Sequence, residues 1–316
     1  MTTAPQSDPW PDLPYGAWKD TCTTLHLWTQ IVGKIRLAQT PWLNHSWHVP
    51  FYASARGLTT SPIPYGARWF EMTFDFIDHV LIVASGEGER KTIRLEPRSV
   101  ADFYAAVLSA LAELGLPVRI NEVPSEMVEA IPFFRDRTHA AYDAAFAARF
   151  WRALMQGNRL FTRFRTGFIG KGSPVHFFWG GFDLAVTRFS GRRAPRHPGG
   201  VPHLPDAVAC EAYSHEVSSA GFWPGGGGFD HAAFYSYAYP EPAGFRTAAV
   251  RPAAAFFSEA LGEFLLPYDA VRTAPDPDAA LLAFLDSTYE AAAESGRWDR
   301  ARLECAPGRP MVPRPA

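Results

Sequence analysis

The residues of this chain best suited to chemistry are two acids, Asp183 and Glu216, each inside a strand-like run of small, hydroxyl and aromatic side chains. Along Ala212–Phe222, one side carries Ala212, Ser214, Glu216, Ser218 and Ala220, and the other Tyr213, His215, Val217 and Ser219. Along Phe177–Arg188, Phe177, Trp179, Gly181, Asp183, Ala185 and Thr187 alternate with Phe178, Phe182, Leu184, Val186 and Arg188. Successive side chains of a strand take opposite faces. Phe182, Leu184 and Val186 therefore go to the core, and Asp183 and Trp179 to the opposite face. Antiparallel pairing around the loop Ser190–Ala209 then sets Leu184 opposite His215, Asp183 opposite Glu216, and Arg188 opposite Glu211. Carboxylates directly opposed lie about 5 Å apart and repel. Such a pair persists by sharing a proton, binding a cation or taking donors from a ligand.

The expected site has Asp183 and Glu216 as catalytic acids, with Trp179, His176, Ser214, Ser218, Trp223 and Arg188 binding ligand. They surround a groove floored by small and hydroxyl residues, which Ser236 and Ala238 extend. Phe177, Phe222 and Phe234 are further walls, and Asp75 is a further candidate acid in the groove. The alternative is that each carboxylate bonds a backbone amide or an arginine.

Other chemistries find less support. Glu211 and His215 lie about 13 Å apart along an extended strand, so with His176 they make no metal site, and none is expected. His197 and His203 show no ligand spacing. The loop carrying Arg192, Arg193 and Arg196 reads either as an anion-contacting flap or as a solvated loop. Gly225–Gly228 opens no helix and lacks the lysine of a phosphate loop. No Gly-x-Ser-x-Gly elbow is present.

These strands need helices to back them. Trp18, Cys22, Leu25, Trp28, Val32 and Ile35 predict an amphipathic helix over 17–38, and Phe146, Phe150, Leu154, Phe161 and Phe164 predict a second. Trp28 aligns with Trp151, Arg36 with Arg159 and Leu37 with Leu160. Each helix precedes a block of strand-like segments, and each block closes with a helix, one capped by Ser99 and ending at Gly115, the other capped by Asp276 and ending at Gly296. The expectation is an α+β fold, a two-layer antiparallel sheet backed by helices, with a helix–four strands–helix unit duplicated. The first copy is 1–115, the second 116–305 with long loops, and 306–316 is a disordered tail; Met1–Pro14 is also read as a loose end, and Val118–Asn121 as a strand entering the second copy. This arrangement resembles the topology of the TATA-box-binding protein, a likeness of fold that carries no function.

The 316 residues include 47% hydrophobic and 20% charged residues at a net charge of −2, the balance of an ordinary globular protein with no pull toward nucleic acid or anionic membrane. The first ten residues lack the basic start and apolar run of a signal peptide, and no segment has the length of a membrane span. Three scattered cysteines fit a reducing cytoplasm. Three runs, Trp10–Pro14, His176–Gly191 and Glu211–Gly225, resemble a family of uncharacterised bacterial proteins over nearly the whole chain. That likeness brings no activity, cofactor or catalytic residue. The expected function is binding of a small polar molecule, with catalysis open, on the polar sheet face; the alternative is an interaction or scaffold module that offers the same face to a partner chain. A deep pocket at Asp183 favours the first and a flat exposed sheet the second.

Overall fold

Apolar residues at helical spacing place Tyr15–Gln39 in one 25-residue helix, α1, whose buried face carries Trp18, Leu25, Trp28, Ile31 and Ile35. In the computed structural model, which describes residues 8–314, α1 leads into six short strands: β1 Tyr52–Ser54, β2 Gly57–Thr59, β3 Ile63–Tyr65, β4 Arg68–Asp75, β5 Val80–Ser85 and β6 Arg90–Arg94. Helix α2, Val100–Glu113, follows. Ser99 caps it by accepting from Asp102 N, and Gly115 ends it in the left-handed region that glycine tolerates.

Helix α3, Ala144–Arg165, is capped by Asp143 and opens the second half. It is followed by β7 His176–Phe178, β8 Asp183–Arg193, α4 Asp206–Ala212, β9 His215–Trp223, β10 Ala233–Tyr239, β11 Phe256–Ser258 and β12 Glu263–Pro267. Short α5, Tyr268–Arg272, then long α6, Pro277–Ser295, and α7, Arg300–Leu303, complete it. Asp276 caps α6 by accepting from Ala279 N. Residues 118–121 form no strand and run as open chain.

The fold is α+β. Among the described residues, seven helices accompany two antiparallel sheets of six strands each. One sheet runs β1-β2-β4-β5-β6 with β3 on β4, the other β11-β12-β10-β9-β8-β7. Each half has six strands between two long helices, but α4 interrupts the second set and the strand paths differ, so element order does not establish the expected duplication. The sheets meet where Phe51 and Phe177 exchange backbone hydrogen bonds of 2.8 Å each way. Trp10 and Leu13 are buried, and Tyr268 Oη donates to Pro11 O, so the N-terminal segment from Trp10 is packed rather than loose. Met1–Ser7, the rest of that expected tail, and Pro315–Ala316 lie outside the described residues.

The main departure from expectation is at Phe177–Arg188, which is a hairpin and not one strand. The chain reverses at Trp179–Phe182, so Phe178 pairs with Asp183 and Phe177 with Leu184. Pairing of β8 with β9 sets Leu184 opposite Phe222 and Thr187 opposite Ser219. That register differs from the expected one by seven residues, an odd shift, which inverts the faces of β9. The physical reason is aromatic packing: Phe222 goes beneath α3 against Phe150 and Phe234, and the hydroxyl stripe Ser218, Ala220 goes with it.

Trp179 packs against α1 because Gly33 has no side chain; a Cβ there would lie 2.3 Å from atoms of the indole ring. Gly33→Ala is expected to lower unfolding free energy by about 1–3 kcal/mol in urea titration, the usual cost of overpacking. Gly16→Ala, where a Cβ meets nothing within 4 Å, is expected to raise it by about 0.5 kcal/mol.

Candidate functional site

The face of the second sheet turned away from α3 and α6 floors a cavity of about 470 Å³. Period-two alternation puts His176 and Phe178 of β7, Asp183, Ala185, Thr187 and Phe189 of β8, Ser219 of β9, and Tyr235 and Tyr237 of β10 on that floor. Four segments wall it: Lys34 at the C-terminal half of α1, residues 42–49, Ser125–Glu126, and the loop and helix Val201–Tyr213. The walls are tied together. Glu126 N donates to Pro202 O at 2.8 Å, the Glu211 carboxylate accepts from His45 N at 3.0 and 2.8 Å, and Tyr213 Oη lies 2.8 Å from Tyr237 Oη.

A polar stripe on α1, His26, Gln30 and Lys34, recurs every four residues and so shares one helix face. The Gln30 amide donates to Ser125 O and accepts from Ser125 N, while Lys34 Nζ donates to Ser125 Oγ at 2.9 Å. This brings Glu126 over the glycine pair of the hairpin. A Cβ on Gly181 would lie 2.7 Å from Asp183 Oδ1 and 3.9 Å from Glu126 Oε2. The two acids that share space here are thus Asp183 and Glu126. Asp183 accepts from the Tyr235 hydroxyl, which reaches it across β9 because Gly221 leaves the path open.

Electrostatics follow from this crowding. Burial raises the Asp183 carboxyl to about 6, against the opposing bond from Tyr235. Burial and then the charge of Asp183 raise Glu126 to about 7, with Lys34 opposing; Glu126 stays exposed at the mouth, so water screens part of that push. Burial lowers Lys34 to about 8, and burial followed by Asp183 raises Glu263, on neighbouring β12, to about 7. His176, 1% exposed, is lowered to about 3 by burial, and neither ring nitrogen has a hydrogen-bond partner. His45 is lowered first by burial and further by Lys171. Proton exchange near neutral pH is within the chemistry of the two acids.

Strained backbone gathers here as well. Of the nine described non-glycine residues with left-handed φ, four (His45, Ser46, Glu126 and His203) line the cavity, where strain is retained when the surroundings over-determine it.

Of the residues singled out from sequence, Asp183, Trp179 and His176 meet in the cavity. Glu216 does not. It takes Ser190 Oγ at 2.8 Å and Arg192 Nε at 2.9 Å, far along β9 from Asp183, so the expected carboxylate pair is absent. Arg188 points beneath the helices, its guanidinium stacked between Phe164 and Tyr289 and bonded to Phe164 O. Ser218, opposite Arg188, shares that face. Ser214 sits in the turn before β9, beside His215, and Trp223 packs on Phe229 at the far end of β9. Phe177, Phe222 and Phe234 are core residues, and Ser236 and Ala238 lie on the helix side, opposite Ala220 and Ser218. Asp75, 1% exposed, holds the β4–β5 turn through Arg56, Ile77 N and Asp78 N. Of the loop read either as an anion-contacting flap or as solvated, Val201, Leu204 and Val208 line the cavity and its arginines do not. Lys34, Glu126 and the tyrosines of β10 were not anticipated; the α1 stripe was the readable signal for Lys34.

Comparison with known proteins agrees with the three runs noted in the sequence. A family model, the family of unknown function DUF5996, matches residues 10–305. The chain belongs to that family. No curated protein and no solved structure matches it. No described helix is long and apolar enough to cross a membrane, and no described group of three or more His, Cys, Asp or Glu is placed to hold a metal ion.

Asp183 gives a pH prediction. Its carboxyl, normally near 3.8, titrates at about 6 when folded, so the native state binds more protons and stability falls as pH rises from about 4 to 6. Asp183→Asn keeps an acceptor for Tyr235 and removes the charge. It is expected to melt higher than the parent at pH 8, by on the order of 1 kcal/mol, with the difference vanishing at pH 4 in calorimetry.

Proposed function

We propose that the protein binds a small molecule in the cavity on the open face of its second sheet, with Asp183 and Glu126 as the polar contacts that orient it and are able to exchange a proton with it. The observation that carries this reading is the enclosure of ionisable groups at one end of a largely apolar, aromatic-lined space of about 470 Å³, within the usual range for small-ligand sites. Trp47, Phe178 and Phe189 supply surface for an apolar body, while Asp183, Glu126 and Lys34 supply direction. Acidic groups at the floor work against a phosphate backbone as ligand.

The rival reading, a scaffold that offers the sheet to a partner chain, requires a bare face. Here Ser125–Glu126 and Val201–Tyr213 lie over it, which favours the small-molecule reading.

A thermal-shift screen of metabolite-like compounds tests the proposal. Hits at about a hundredfold their Kd are expected to add about 2.7 kcal/mol, seen as a shift of several degrees that shrinks in Asp183→Asn. Hits whose shifts are unchanged in that variant, or a screen without hits, would count against it.

A further inference from the structure

Building on the cavity reading above, we infer that the ligand is an organic amine, its ammonium seated between Asp183 and Glu126 and its apolar body lying over Phe178, Phe189 and Trp47.

The first observation is unbalanced charge. Among the described residues neither Asp183 nor Glu126 has a basic partner within 4.0 Å. Asp183 takes one side-chain donor, the Tyr235 hydroxyl, and the Glu126 carboxylate takes none. Both nonetheless face the same space above Gly181. The cavity's one lysine, Lys34, is turned to Ser125 Oγ and lies 5.8 Å from the Trp179 ring centroid. Glu263 adds a third acid close enough to feel Asp183. Asp183 is half-buried and Glu126 stands at the mouth, and an incoming ammonium would supply the two acids with a cation and three donors.

The second observation is independent of the acids. His176 borders the same cavity, is 1% exposed, and leaves both ring nitrogens unpartnered. Unsatisfied buried polar groups are rare in native structures, and among the described residues His176 alone leaves two such side-chain atoms. On the floor His176 is two residues from Phe178, the cross-strand partner of Asp183, so the two side chains share one face of the hairpin. Burial keeps the imidazole neutral, so one of its nitrogens is free to accept from an N–H. The rings of Tyr213, Tyr235 and Tyr237 stand at the acidic end, where aromatic faces add to cation binding. A bare metal ion suits the place less well, since no described group of three or more ligating residues converges.

Isothermal titration at pH 8 with tryptamine, tryptophol and indole-3-acetate tests the inference, because the three share an indole body and differ in head-group charge. Tryptamine is expected to bind about tenfold tighter than tryptophol, with indole-3-acetate weakest. Asp183→Asn and Glu126→Gln are each expected to weaken tryptamine about tenfold and to leave tryptophol within about twofold. Circular dichroism confirms that each variant is folded, and both change charge without changing volume. Equal or tighter binding of tryptophol or indole-3-acetate would overturn the amine assignment and leave the cavity reading standing. Failure of all three to bind at millimolar concentration would overturn the amine assignment, and the cavity reading falls only if the thermal-shift screen is also without hits.

Discussion

The reversal at Trp179–Phe182 is the constraint on which the rest of the second sheet depends. Phe182 adopts a left-handed φ of 58°, a conformation that costs a non-glycine residue on the order of 1 kcal/mol or more. Packing offsets that cost: Phe182 stacks on Phe150 at 5.1 Å and meets Phe177 edge-on at 5.2 Å. With the turn fixed, Trp179 is pressed into the notch left by Gly33, and Asp183 begins the next strand on the open face. Every later register, β8 with β9 and β9 with β10, follows from that starting point.

The same turn explains why polar groups concentrate where they do. Gly180 and Gly181 present bare backbone, over which the Glu126 carboxylate comes to rest; a side chain at Gly180 would strike it. The Gln30–Ser125 pair of hydrogen bonds supplies the other constraint, anchoring a segment with no regular structure to a rigid helix. A half-buried acid and a second at the cavity mouth are thereby forced together, and their proton affinities rise as a direct consequence. Gly221 extends the effect by letting Tyr235 lie across a strand to reach Asp183.

Much of the fold was legible because its signals are local. Helix spacing, the Ser99 and Asp276 caps and the Gly115 and Gly296 stops depend on neighbours within a few residues, and each is found as read. Face assignment within β8 also held, since Asp183, Ala185 and Thr187 oppose Leu184 and Val186 whatever the pairing. Pairing itself was not legible. Alternation is equally regular in a strand and in a hairpin whose turn carries two glycines, so Phe177–Arg188 read as one element, and the odd register error turned Ser218 and Glu216 to the wrong surroundings.

By itself the sequence determined the four long helices, though not α4, α5 or α7, and that the fold is α+β. Only the tertiary structure decided that the acid beside Asp183 is Glu126 and not Glu216, and that Lys34 of α1 lines the same cavity. The reason is physical: alternation and helical period are set by bonds between adjacent residues, whereas the company a carboxylate keeps is set by which aromatic side chains pack beneath which helix.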